Sequence, residues 1–380
     1  MKVLNVNSSV GLKTGGGTAE RTFNMSRYLT RAGATCTVLT LDLGLDAARV
    51  DALAPTKIVT LPCLWQRFYL PRVNLQLISK LVEDTDIIHL MGHWGLLNAI
   101  VYIAARRAGK PYVVCPAGAL PLFGRSRWLK RLYNFVIGNA IVKNADVIIA
   151  VTAAELPHFQ SYGIPVSRVV VIPNGVCKEN FVVFDGVSLL DQGVKDGPLI
   201  LFMGRLNLIK GPDLLLQAFA KVKDQLPGWQ LVFAGPDGGM LSQLKSYTAS
   251  QGLAQRVYFL GHVDGNLKST LYHFARLLVV PSRQEAMSIV ALEAGICGTP
   301  VLLTDTCGFN EIREIDQRLE VPADVDAIAD RLMDLLSDQI QLEGIASQFG
   351  HLVEKRFAWK SLVPVYLELY EKVIKRGYSR

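Results

Sequence analysis

Two stretches of this 380-residue chain carry side chains whose types and spacing suit the handling of phosphates. In Gly204-Arg205-Leu206-Asn207-Leu208-Ile209-Lys210-Gly211, an arginine and a lysine follow the apolar run Leu199 to Met203 and precede Pro212-Asp213, a pair that suits a helix start. Arg205 offers a planar fork of donors and Lys210 a point charge, so together they can clamp a diphosphate. In Leu277 to Thr304 (LLVVPSRQEAMSIVALEAGICGTPVLLT), Glu285 and Glu293 stand eight residues apart. If one helix capped by Ser282 carries both, they lie roughly 12 Å apart along its axis, enough to meet opposite ends of an extended ligand. Two glutamates on a helix are also what a solvated face shows.

Three further groups bear on a site. Gly15-Gly16-Gly17 falls between the strand pattern Lys2 to Asn7 and the helical pattern Thr18 to Ala32. A glycine turn opening a helix aims backbone N–H groups at an anion, although the dinucleotide spacing G-x-G-x-x-G is absent. His89-Leu90-Met91-Gly92-His93-Trp94-Gly95 ends another strand pattern, where polar groups line the ligand crevice of an open α/β sheet. His93, and less so His89, is a site candidate, with a structural histidine as the alternative. Asp84-Thr85-Asp86 has a metal-binding look, but it sits at a helix end before Ile87 to Leu90, which makes it a capping feature. No His or carboxylate cluster offers a metal site.

The elements that must position these groups are short, wholly apolar runs alternating with amphipathic helical segments, the pattern of doubly wound parallel sheets. The length suits two domains. The boundaries expected are 1–178 for the first domain, 179–197 for a linker and 198–355 for the second, with a final helix at about 356–380 returning to the first. Residues 1–180 hold 20 Lys and Arg against 10 Asp and Glu, leaving 20 against 23 in the remainder, so the net charge of +7 belongs to the first half. No nucleic-acid-binding signature accompanies that charge, which leaves an anionic membrane surface or a phosphorylated acceptor. Segment 123–143 interleaves Arg125, Arg127, Lys130 and Arg131 with Trp128, Tyr133 and Phe135, as a helix lying on an anionic membrane would. An amphipathic helix with its aromatics in the core is the alternative. Six scattered cysteines, no run of about 20 apolar residues and no secretory leader point to the cytoplasm.

Pro281-Ser282, Glu285, Glu293-Ala294, Gly298 and Pro300-Val301 resemble the E-x7-E segment of retaining glycosyltransferases of family 4, and Gly204 to Gly211 resembles their diphosphate-binding loop. The resemblance extends from the glycine loop to the last helix. It implies a GT-B fold, two Rossmann-like doubly wound domains facing a cleft. It also implies transfer of a hexose from a UDP- or GDP-sugar to a hydroxyl of a glycan or polyprenyl-diphosphate-linked acceptor, with no metal ion. By the same resemblance Arg205 and Lys210 neutralise the leaving diphosphate and Glu285 holds sugar hydroxyls. Glu293 then holds the ribose, Met287, Ser288 and Ile289 line the donor, and Gly16 and Gly17 face its diphosphate. Three departures stand out. Met91 replaces a histidine common in the family, with His93 two residues on; Ala117-Gly118 replaces His-Gly; and Ala286-Met287-Ser288 follows Glu285 in place of Gly-Phe-Gly. A nucleotide-sugar epimerase or hydrolase and a non-catalytic nucleotide-sugar-binding module remain as alternatives.

Overall fold

Leu4, Val6, Ile88, Leu90, Val114 and Ile148 come from four apolar runs and are almost fully buried, as strands covered on both faces of a parallel sheet should be. The computed structural model describes residues 1–122, 126–183 and 189–377, and the chain divides into two units. The first comprises Met1–Gly175 and the last helix; the second comprises Val176–Ala358.

The first unit runs β1 (Lys2–Val6), α1 (Leu12–Arg31), β2 (Thr35–Leu41), α2 (Ala47–Asp51), β3 (Lys57–Leu61), a small hairpin of β4 (Cys63–Trp65) and β5 (Leu70–Pro71), then α3 (Leu75–Glu83) and β6 (Ile87–Met91). It continues with α4 (Leu96–Arg107), β7 (Tyr112–Cys115), α5 (Arg127–Tyr133), α6 (Asn139–Lys143), β8 (Val147–Ala150), α7 (Leu156–Ser161) and β9 (Val169–Val171). Its parallel sheet has the order β3-β2-β1-β6-β7-β8-β9. The second unit holds β10 (Leu199–Met203), α8 (Pro212–Val222), β11 (Gln230–Ala234), α9 (Leu241–Ser250), β12 (Val257–Gly261), α10 (Gly265–Phe274), β13 (Leu277–Val280), α11 (Ile289–Ile296) and β14 (Val301–Thr304). β15 (Glu320–Val321), α12 (Val325–Ser337) and α13 (Gln339–Arg356) complete it, and its sheet order is β12-β11-β10-β13-β14-β15. Both sheets are doubly wound. In the first the strand order reverses between β1 and β6, in the second between β10 and β13. Ligands of such sheets bind outside the carboxyl ends of the strands at that reversal.

Several expectations shift. Residues 42–83, to which no element was assigned from the sequence, hold α2, β3, the β4–β5 hairpin and α3. α1 begins at Leu12 and takes the glycine cluster into its first turns, where Gly16 at φ 58° breaks the helical geometry. Ser282 caps no helix: α11 starts at Ile289 with Ser288 as its cap, so Glu285 lies in the preceding loop and the two glutamates do not share one helix. Segment 123–143 is helical from Arg127, with a π-helical turn at Asn134–Gly138 between α5 and α6; residues 123–125 lie outside the described ones. Its aromatics are not all core, because Trp128 is 66% and Phe135 86% exposed. Of the connection expected at 179–197, residues 184–188 lie outside the described ones, as do 378–380.

The last helix, α14 (Trp359–Gly377), packs on α1, and a buried polar seam fixes it there. Arg21, 2% exposed, donates to the carbonyls of Ile172 and Pro173, to Asn174 Oδ1 and to Tyr366 Oη. His89 Nδ1 meets Tyr370 Oη at 2.6 Å, and burial pushes that imidazole down to about 3, so it stays neutral. Truncation at Arg21 strands several buried acceptors. We expect Arg21→Ala to destabilise the first unit by about 3 kcal/mol or more, measured by denaturant unfolding.

Candidate active site

Lys210 and Glu285 stand on the two loops that flank the strand reversal of the second unit. The first loop follows β10. Gly211 caps α8 at φ 67°, and a Cβ there would lie 2.0 Å from the carbonyl oxygen of Pro281, at the end of β13. Only glycine permits this close approach of the two loops. Arg283 staples them further: its amide donates to Ile209 O (2.7 Å), and its guanidinium forks onto both Asp213 oxygens (2.8 and 2.6 Å) and reaches Leu208 O. From the other side the Glu285 amide donates to Thr306 O at 3.1 Å.

In this frame Lys210 Nζ donates to Glu285 Oε1 at 2.6 Å, and Ser282 Oγ donates to Glu285 Oε2 at 3.2 Å. The side chains are 32% and 14% exposed, so the pair is reachable from solvent yet shielded enough for its charges to count. Arg205, exposed beside Gly204, has no carboxylate partner among the described residues. Its stem lies over Gly238, in the loop after β11. Met287 and Ser288 are buried in the turn that feeds α11, and Ile289 opens that helix. Glu293, on α11 and 4% exposed, faces α10: Lys268 Nζ donates to Oε1 and Tyr272 Oη to Oε2, each at 2.7 Å.

In the first unit β1 and β6 are neighbours at the strand reversal, and Gly16 and Gly17 are exposed in the first turns of α1, the helix that follows β1. His93 lies in the turn after β6, 2% exposed, with its ring among Trp94, Tyr133 and Tyr162. Asn134 Nδ2 donates to Tyr162 Oη (2.7 Å) and Tyr162 Oη to Leu120 O (3.0 Å), so Asn134 Oδ1 accepts from His93 Nε2–H at 2.8 Å. Burial lowers the imidazole to about 4, which keeps it neutral. His93 is thus a buried, neutral member of this wall, not a side chain presented to solvent. Beside the network lies a cavity of about 320 Å³, lined in part by Leu122, Asn134, Asn139, His158 and Tyr162.

Three contributors escaped the sequence. Arg283 with Asp213 was visible only as two charges among many. Gly138 carried no signal in the sequence, but a Cβ there would meet Asn134 Oδ1 at 2.4 Å. Glu155, 4% exposed, accepts the amides of Gly118 and Val151, both at 2.6 Å, and so holds Ala117 in its left-handed conformation (φ 49°). The Asp84-Thr85-Asp86 triplet lies at the opposite, amino edge of the sheet, where Asp86 accepts the Lys2 amide. Among the described residues no three His, Cys, Asp or Glu side chains gather as a metal site would require.

Comparison with known proteins fits this geometry. The model of the group 1 glycosyl transferases matches residues 191–349, and that of the glycosyl transferase 4-like domain matches residues 16–175. The chain belongs to the group 1 glycosyltransferases. A curated relative, the D-inositol 3-phosphate glycosyltransferase of Xylanimonas cellulosilytica, is 30% identical over 64% of this chain and 61% of its own length. The matches span about three-fifths of the curated relatives' length. Among solved structures, a sucrose-phosphate synthase from Thermosynechococcus elongatus aligns with a TM-score of 0.79 at 21% identity, covering 99% of this chain and 100% of that chain. Anabaena HepE in complex with UDP and glucose aligns at 0.77 and 21%, covering 98% and 100%. At these identities the structures establish the fold, which is GT-B.

Two outcomes follow from this geometry. Gly211→Ala adds a Cβ in a left-handed conformation against Pro281 O; the second unit should lose about 2 kcal/mol or more, measured by thermal or denaturant unfolding. The pH dependence follows from His93, lowered from 6.5 to about 4. Between these values the unfolded chain binds a proton that the folded chain refuses, so stability rises with pH across that window and is lost as pH falls through it. His93→Gln, which keeps a donor toward Asn134, should remove its share of that slope and leave the share of His89, which burial also lowers, in unfolding measured from pH 4 to 7.

Proposed function

We propose that this protein moves a hexose from a UDP- or GDP-sugar to a hydroxyl of a glycan or lipid-linked acceptor, retaining the anomeric configuration and using no metal ion. The observation that carries the reading is the Lys210–Glu285 ion pair at the strand reversal of the second unit, beside an Arg205 with no carboxylate partner among the described residues. Without donor, the two side chains neutralise each other. Donor binding exchanges partners. Lys210 turns from the carboxylate to the diphosphate, Arg205 joins it, and Glu285 is released to accept hydrogen bonds from sugar hydroxyls. The backbone amides at Ser288 and Ile289, at the positive end of α11, add to the same phosphate site.

The chemistry is then electrostatic. The bond between the anomeric carbon and the diphosphate oxygen breaks, its electron pair leaves with the nucleoside diphosphate, and Arg205 and Lys210 stabilise the charge that grows there. The acceptor oxygen bonds to the same face of the anomeric carbon and gives its proton to the departing phosphate oxygen. Glu293 takes the ribose hydroxyls while Lys268 and Tyr272 fix its carboxylate. In the first unit Gly16 and Gly17 leave the backbone open to a phosphate. The Anabaena structures hold UDP, glucose and UDP-glucose, which makes UDP-glucose the first donor to test. The basic first half of the chain favours a lipid-linked or phosphorylated acceptor on the cytoplasmic face of a membrane.

Thermal stabilisation by a panel of nucleotide-sugars in chelator tests the donor. One UDP- or GDP-sugar should give a saturable shift that disappears in Lys210→Ala. Turnover in Lys210→Ala should fall at least about tenfold. Glu285→Gln should cripple transfer and leave nucleotide binding nearly intact. Near-normal turnover of the lysine variant would sink the diphosphate assignment. Product formed without acceptor would point to a hydrolase or epimerase, and binding without turnover to a binding module.

A further inference from the structure

Between Asp86 and Asp146 the chain contains no Asp or Glu and eight Lys and Arg. The tertiary structure gathers part of this one-signed stretch on a single exposed face. Along α5 and the π-helical turn, the exposed positions are Arg127, Trp128, Arg131, Leu132, Phe135 and Val136, and their spacing places them on one side of the helix. Phe135 and Val136 are 86% and 67% exposed, and Trp128 and Leu132 are 66% and 51%. The opposite face is fixed to the unit through Tyr133, whose hydroxyl donates to Gly95 O, and through the His93–Asn134 hydrogen bond. The stripe is therefore held outward by bonds on its back.

A second patch of the same kind stands nearby. The β4–β5 hairpin exposes Trp65 and Phe68 edge to face, with Arg67 over the Phe68 ring. β5 packs on α4, the helix whose N-cap residue, Gly95, receives the Tyr133 hydroxyl. Both patches thus flank one helix.

We propose that this face docks on a bilayer containing anionic phospholipid. Trp128, Leu132, Phe135 and Val136 enter the boundary between headgroups and acyl chains, while Arg127 and Arg131 pair with lipid phosphates. A protein partner would have to supply every negative charge the stripe lacks; an anionic membrane presents that charge everywhere. Aromatic side chains beside arginines suit the headgroup layer, where one end of the ring is apolar and the other wet. Docking here deepens the lipid-linked acceptor reading and rests on it only for its purpose, so vesicle binding and sugar transfer are scored separately.

The test is co-sedimentation of the full chain with phosphatidylglycerol–phosphatidylcholine vesicles against phosphatidylcholine alone, at low and high salt. Binding to the anionic vesicles at low salt is expected. It should weaken at least about tenfold in the Trp128→Ser/Phe135→Ser double variant, and as much in Arg127→Glu/Arg131→Glu. All these side chains are exposed, so the thermal shift given by the nucleotide-sugar should be unchanged in both variants. A charge-matched control, Lys245→Glu/Lys355→Glu in the second unit, should bind like the unaltered chain. No binding to anionic vesicles at low salt overturns the proposal, as does equal loss in the control pair. Self-association that Trp128→Ser/Phe135→Ser abolishes, without vesicle binding, overturns it in favour of a second copy. Vesicle binding without sugar transfer leaves the docking face standing and removes the transferase reading instead.

Discussion

The approach of two backbone segments across the strand reversal of the second sheet is the constraint on which the site depends. The chain leaves β10, winds outward through β11 and β12, and returns to lay β13 on the other side of β10. That return brings the loops carrying Lys210 and Glu285 side by side at the carboxyl edge. They close to contact because Gly211 has no Cβ to meet Pro281 O, and Arg283 ties them by a forked ion pair with Asp213. A lysine and a glutamate 75 residues apart in the chain thereby meet at 2.6 Å. Partly shielded from water, their attraction is stronger than on an open surface, and so is the effect of replacing one partner by a substrate group of the same sign.

The first unit repeats the topology with different contents. Its reversal between β1 and β6 exposes a glycine turn on one side and buries an imidazole on the other. His93 is neutral because desolvation outweighs the hydrogen bond to Asn134, and the hydrogen-bond chain runs inward through Asn134 and Tyr162 to the Leu120 carbonyl. The π-helical turn makes this possible: it swings Asn134 toward His93, and Gly138 leaves the room that the Asn134 side chain occupies. The same turn presents Phe135 and Val136 to solvent. One local irregularity thus builds the inner network and the outer stripe together.

Much of this was legible beforehand. Parallel strands buried on both faces write themselves as short apolar runs, so β1, β6, β10, β13 and β14 could be read directly. The G-R-x4-K-G segment was legible because a loop that meets a diphosphate needs glycine at its tight points and cations between them. The edges were not. The cap of α11 is Ser288, six residues beyond the Ser282 expected, because the backbone first turns inward through the buried residues Met287 and Ser288. The small hairpin after β3 lacks the alternation of a half-buried strand, since much of it lies exposed. The aromatics of 127–136 were ambiguous for a related reason: composition says that a helix is amphipathic in charge and size, but not which face is covered.

By itself, then, the sequence determined the parallel α/β class, the two-part division of charge and the loops where phosphate chemistry belongs. Those follow from local requirements of burial, turn geometry and charge type, each satisfied within a few residues. The tertiary structure alone decided which of these groups meet. It paired Lys210 with Glu285, engaged Glu293 with Lys268 and Tyr272, turned His93 inward, and buried Arg21 under the final helix. Contact between distant residues is set by strand order and by the few places where backbones can touch, and neither is written in the spacing of residues along the chain.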